Sequence, residues 1–168
     1  MTPLQKVAMG LVIVFLSASF AGYDGLPDPL GWALVLAGLH PLRERLAHAG
    51  VLTGLVVAAA VAATVVYPPS VRERLAPSAE WALSLPQLGF CVLVCVSLAA
   101  LTEGRDGRRL RALGWVFAVL AAAPVILYGG EVGWLAVPVA VAVTAADVYL
   151  VYLLFKVSRR AFVAGPTR

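Results

Sequence analysis

Long apolar runs alternate with short polar stretches along the whole chain. Six runs stand out, at 7–23, 29–46, 48–67, 81–101, 110–128 and 132–155. A helix rises about 1.5 Å per residue, so about 17–25 residues cross the roughly 30 Å of hydrocarbon in a bilayer. Five runs reach that length outright. The second does so only if its helix continues from 29–42 through Arg43-Glu44-Arg45-Leu46. The pattern predicts an all-α fold: an integral membrane helical bundle of about six transmembrane helices, one unit over residues 1–168.

Composition strengthens that reading. Of 168 residues, 61% are hydrophobic and 13% charged, and the mean hydropathy is +0.91. Soluble domains run nearer 45–50% and about 25%. The net charge of +4 would raise the question of nucleic acid in a soluble protein. Here the basic residues sit between apolar runs, where positive charge orients a membrane protein, so the expected partner is the lipid bilayer and not nucleic acid. Six spans with the N-terminus inside collect eleven Lys and Arg residues on one side and leave Arg72 and Arg74 on the other. Both termini are therefore expected in the cytoplasm. A re-entrant second segment would give ten against three. The aromatics favour six spans, because Tyr23, Trp32, Tyr67, Trp81, Tyr128 and Trp134 then fall near the outer interface. Asparagine is absent, and lysine occurs only at Lys6 and Lys156. That vocabulary suggests GC-rich codons and a bacterial cytoplasmic membrane. Lys6 followed by an apolar run and Ser17-Ala18-Ser19 imitates a signal peptide, but the run's length and the apolar remainder argue for a retained first span.

The stretch Phe20-Ala21-Gly22-Tyr23-Asp24-Gly25-Leu26-Pro27-Asp28-Pro29-Leu30-Gly31-Trp32, leading into a run that ends Gly38-Leu39, carries a local motif: an aromatic, Leu-Pro-Asp three residues on, and a glycine three residues after the aspartate. It resembles a motif of small, uncharacterised bacterial multi-pass membrane proteins. The resemblance covers about twenty residues of the first loop and second helix. It implies an inner-membrane location and a true second helix, and transfers no catalytic residue. The residues themselves read as a helix start, with Asp28 as N-cap and Pro29 at the first helical position. Gly22 and Gly25 suit a tight turn. Asp24 and Asp28 are alternatively a carboxylate pair that binds a cation at the outer mouth.

Asp147 is the most informative residue. It lies nine residues from Lys156, about 13 Å along a helix and near the bilayer midplane. An acid there costs about 2.5–3.5 kcal/mol on insertion scales and must face protein or water. Gly133, Ala136, Ala140 and Thr144 lead to it at helical spacings, so that face should pack closely and turn Asp147 into the bundle with Thr144 beside it. Its functional reading is a proton, cation or solute site; its bland reading is a neutral acid tying helices together. Arg105, Arg108, Arg109 and Arg111 form a basic loop between the fourth and fifth helices, explained by orientation and by attraction to anionic lipid. Gly54, Ala58 and Ala62 make a close-packing seam for the chain's own helices or for a homodimer. Pro86, Pro124 and Pro138 would kink the outer parts of three helices. Leu30-Gly31-Trp32 recurs as Leu113-Gly114-Trp115, an echo of two inverted three-helix halves.

Enzyme signatures are missing from the sequence. His40 and His48 have no acidic or cysteine cluster at ligand spacing, and no phosphate loop, H-E-x-x-H or G-x-S-x-G occurs. Cys91 and Cys95 share one apolar helix face and read as small core residues. No metal, cofactor or catalytic set is expected. Two functions remain: handling a small solute, ion or lipid at a polar site around Asp147, or service as a non-catalytic accessory or structural subunit that docks another membrane protein.

Overall fold

The computed structural model describes residues 1–15, 19–20, 23–24, 28–72, 74–129, 134 and 136–163. Its helices are α1 (Pro3–Phe15), α2 (Asp28–Leu39), α3 (Ala49–Val66), the short α4 (Pro69–Arg72), α5 (Pro77–Leu101), α6 (Gly104–Gly129) and α7 (Ala136–Val163). A two-pair antiparallel ladder, β1 (Ser19–Phe20) with β2 (Tyr23–Asp24), lies between α1 and α2. The fold is otherwise helical among the described residues.

Helix ends follow local chemistry. α1 starts four residues before the apolar run because Thr2-Pro3-Leu4-Gln5 is a capping box with proline at the first position. The Gln5 amide donates to Thr2 Oγ1 at 3.3 Å, and the Thr2 amide donates to Gln5 Oε1 at 2.9 Å. α2 begins at Asp28-Pro29 and does not continue through Arg43–Leu46. It passes into a 3-10 turn at His40–Leu42, where Pro41 lacks the N–H that another helical turn needs. α6 begins at Gly104, with φ of 76°, so the expected basic loop is instead its first two turns. Gly107 makes this corner possible, since a Cβ there would strike the Thr102 carbonyl oxygen. α5 and α6 run through Pro86 and Pro124, and Pro138 falls in the first turn of α7, where proline is tolerated.

Six helices form a closed ring in chain order: α1 on α2, α2 on α3, α3 on α5, α5 on α6, α6 on α7, and α7 back on α1. α1 and α2, of 13 and 12 residues, are shorter than the spans expected at 7–23 and 29–46. The most intimate pairs are α1/α2 and α5/α6, the first pair of each three-helix half. Glycine explains the first. A Cβ on Gly10 would stand 2.5 Å from the Gly31 carbonyl oxygen, and one on Gly38 would stand 2.7 Å from the Pro3 carbonyl oxygen. The motif's Gly31 is thus the point where the α1 backbone touches α2. Its echo Gly114 faces Cys95 of α5, whose Cβ would stand 3.3 Å from a Cβ added to the glycine. The echo stops at the tryptophans. Trp32 is 1% exposed and Trp115 is 71% exposed.

Trp32 therefore corrects the expected aromatic belt. It meets Phe90 of α5 edge-on, ring centroids 5.8 Å apart, and the pair fills the centre of the ring. Trp81 is half-buried and donates its indole N–H to the Ala121 carbonyl at 3.2 Å, joining α5 to α6. Tyr67 and Trp134 are exposed, while the side chains of Tyr23 and Tyr128 lie outside the described residues.

The exterior is apolar. Val51, Val57, Val61 and Val65 are exposed on α3, Val116 and Val119 on α6, and Val137, Val141 and Val148 on α7. Among the described residues three helices, at Ala49–Val66, Ser78–Leu101 and Val137–Arg159, are long and apolar enough to cross a membrane. Of the small-residue seam on α3, only the Ala62 end packs against other described residues. A Cβ at Gly54 would meet nothing within 4 Å, Ala58 is exposed, and only Ala62 of the three is buried.

Candidate functional site

Asp147 belongs to the inward stripe of α7 with Ala146, Leu150, Leu153 and Leu154, all buried. It is 7% exposed, and its Oδ1 has no hydrogen-bond partner among the described residues. It lies close enough to Cys91, fully buried on α5, for the two groups to interact electrostatically. A buried polar atom without a partner costs about 1–3 kcal/mol. The arrangement suits a proton or a small cation brought to the carboxyl group.

The expected polar neighbour is not there. Thr144 is exposed and donates to the Ala140 carbonyl of its own helix at 3.1 Å. Ala140 is exposed as well, and Gly133 lies outside the described residues. Spacing alone put Ala140 and Asp147 on one face. The inward stripe runs instead through Val139, Val143, Ala146 and Asp147, with Val139 and Val143 half-buried against the core, and leaves the outer face of the upper part of α7, Ala140 and Thr144 included, exposed. That upper part lines an open lateral groove with Val141, Val148 and the stacked pair Tyr149 and Tyr152, ring centroids 6.1 Å apart.

A second constellation was not anticipated. Asp106, in the first turn of α6, is 1% exposed and accepts a hydrogen bond from Lys156 Nζ of α7 at 2.7 Å. Arg109 approaches the same oxygen at 3.8 Å. Arg105, Arg108, Arg109 and Arg111 all remain exposed around it. Nothing in the spacing of the four arginines singles out Asp106. Extending the α6 stripe of Leu110, Leu113 and Phe117 back one turn would have marked it as inward-facing.

Two further cavities lie at the ends of the ring. Opposite the basic end, Asp28 shares a crevice of about 150 Å³ with Glu80, Ser84 and Gln87 of α5, and Trp32 forms part of its wall. Asp28 and Glu80 thus line one crevice. The side chain of Asp24, the expected partner of Asp28, lies outside the described residues, as do Gly22 and Gly25. At the basic end a cavity of about 590 Å³ opens between α1, the turn after α2, α5 and α7. Neither cavity is lined by Asp147. No group of three or more His, Cys, Asp or Glu residues suited to a metal occurs among the described residues. His40 and His48 are exposed, and Cys91 and Cys95 are buried free thiols.

Against known proteins, no family model, no curated protein and no solved structure matches this chain.

Proposed function

We propose that the chain is a six-span membrane bundle of the bacterial cytoplasmic membrane, with both termini inside, that handles a proton or small cationic solute through Asp147. The motif at Tyr23–Gly31 supports placing it with the small multi-pass proteins it resembles. Membrane placement is supported by the valine-rich outer faces of α3, α6 and α7, which would be costly in water. Orientation is supported by the basic end, where the α6 arginines and Lys156 gather. The observation that carries the function is the buried Asp147 Oδ1 without a partner among the described residues. A purely structural acid would have its donor beside it.

Purified protein in liposomes carrying a pH-sensitive dye tests this. Wild type should pass protons, or couple a small amine to them, and Asp147→Asn should not. Asp147→Leu should abolish the same signal while melting at or above the wild-type temperature, since it removes an unsatisfied group. If the leucine variant instead melts lower, by the roughly 0.6–2 kcal/mol of an intramembrane hydrogen bond, the acid has a structural partner and the proposal fails.

The alternative, a non-catalytic accessory subunit, draws on the lateral α7 groove with its outward Tyr149 and Tyr152. It predicts that the isolated protein moves nothing and copurifies in fixed ratio with another membrane protein.

A further inference from the structure

The cavity at the basic end lies between the two halves of the ring. Its wall is mainly apolar, with Leu4 of α1, Leu46, Leu98 of α5 and Val157 of α7, and Leu46 and Leu98 are buried. At its rim stands Arg45, exposed and in no ion pair among the described residues. The volume of about 590 Å³ falls within the roughly 300–1,000 Å³ of ligand sites that enclose most of their ligand. A mainly apolar wall, broken by Thr2, Thr102 and Ser158, beside one unpaired guanidinium complements an amphiphile with an anionic head and a hydrocarbon tail. Basic sites between membrane helices on the cytoplasmic side hold acidic lipid headgroups by the same logic.

We propose that this cavity binds an anionic phospholipid of the inner leaflet, its phosphate at Arg45 and one acyl chain along Leu46 and Leu98. The proposal rests on the membrane placement given above but not on Asp147. The lipid would bridge the two halves, from the turn after α2 to α5 and α7. Its headgroup site is separate from the exposed α6 arginines, which attract acidic lipid only as a surface.

Native mass spectrometry of the full chain in detergent, with phosphatidylglycerol or phosphatidylcholine of identical chains added, tests it. Phosphatidylglycerol should be retained in preference, at one per protein. Arg45→Gln should weaken that retention about fivefold, the effect of about 1 kcal/mol per lost charge, while Arg108→Gln leaves it unchanged. Leu98→Trp, which fills the cavity, should reduce retention of both lipids. Equal retention of the two lipids overturns the proposal, as does an equal effect of Arg45→Gln and Arg108→Gln. Binding of oleate without phosphatidylglycerol also overturns it, because the occupant would then be a free anionic amphiphile. The measurement is made in detergent, so a failed orientation would show in vesicle labelling and not here.

Discussion

Replacing Gly10 by alanine tests the closest contact in the fold. The added methyl would stand 2.5 Å from the Gly31 carbonyl oxygen, 2.7 Å from Val35 Cγ2 and 2.9 Å from the Val35 nitrogen. Favourable non-bonded separations begin near 3.5 Å, so α1 and α2 must part by about 1 Å, and a gap of that size forfeits a quarter to a half of each contact. Two of the three obstructing atoms are backbone and cannot rotate away. Overpacking of this kind costs about 1–3 kcal/mol. Alanine also relieves the helix penalty of glycine, by up to about 1 kcal/mol, so a control with that gain and no clash is needed. Gly54→Ala supplies it, because nothing lies within 4 Å of its new methyl. The difference between the two variants isolates the clash, and at about 2–4 °C per kcal/mol for a chain of this size Gly10→Ala should melt about 2–12 °C below Gly54→Ala. Gly31→Ala should behave like Gly10→Ala. The double variant should lose less than the sum, since the helices part only once. Thermal unfolding in detergent, followed by helical circular dichroism, reads all four. A Gly10→Ala protein that melts at or above Gly54→Ala would refute the glycine contact.

Other sites give sharper contrasts. Lys156→Met leaves Asp106 buried without its ammonium partner and should cost about 3–5 kcal/mol, while the double variant Asp106→Leu/Lys156→Met should recover most of it; chemical denaturation compares the two. Trp32→Ala should lose about 3–5 kcal/mol as a core cavity, whereas the exposed Trp115→Ala should stay within about 0.5 kcal/mol of wild type, read in the same melts. Thr2→Ala removes the cap of α1 and should cost about 0.5–2 kcal/mol, visible as faster amide exchange over residues 4–8.

The helices were legible because apolar runs this long leave little alternative to helix. Their ends were less so, as polar capping residues such as Thr2 and Gln5 fall outside a hydropathy window. Trp32 shows a different limit. Its rank among the aromatics pointed to an interface, but Gly31 beside it lets α1 close in and Phe90 receives the indole in the core. Asp147 was placed inward from its cost in lipid, a reason that holds for any neighbour. Thr144 was placed from spacing alone, and an i, i+3 spacing does not say where the edge of the buried stripe falls: Val143 lies within it and Thr144 just outside. The Asp106–Lys156 pair joins positions fifty residues apart and depends on the ring closing through α6 and α7, which no local pattern records.

Cysteine accessibility in right-side-out vesicles bears most directly on the six-span arrangement. Single cysteines at Glu44, Ser70 and Glu103, all exposed positions, are introduced after Cys91 and Cys95 are replaced by alanine. An impermeant maleimide should label Ser70→Cys in sealed vesicles, and Glu44→Cys and Glu103→Cys only after the vesicles are opened. Labelling of Glu103→Cys in sealed vesicles would put the arginine-rich start of α6 outside and contradict the arrangement.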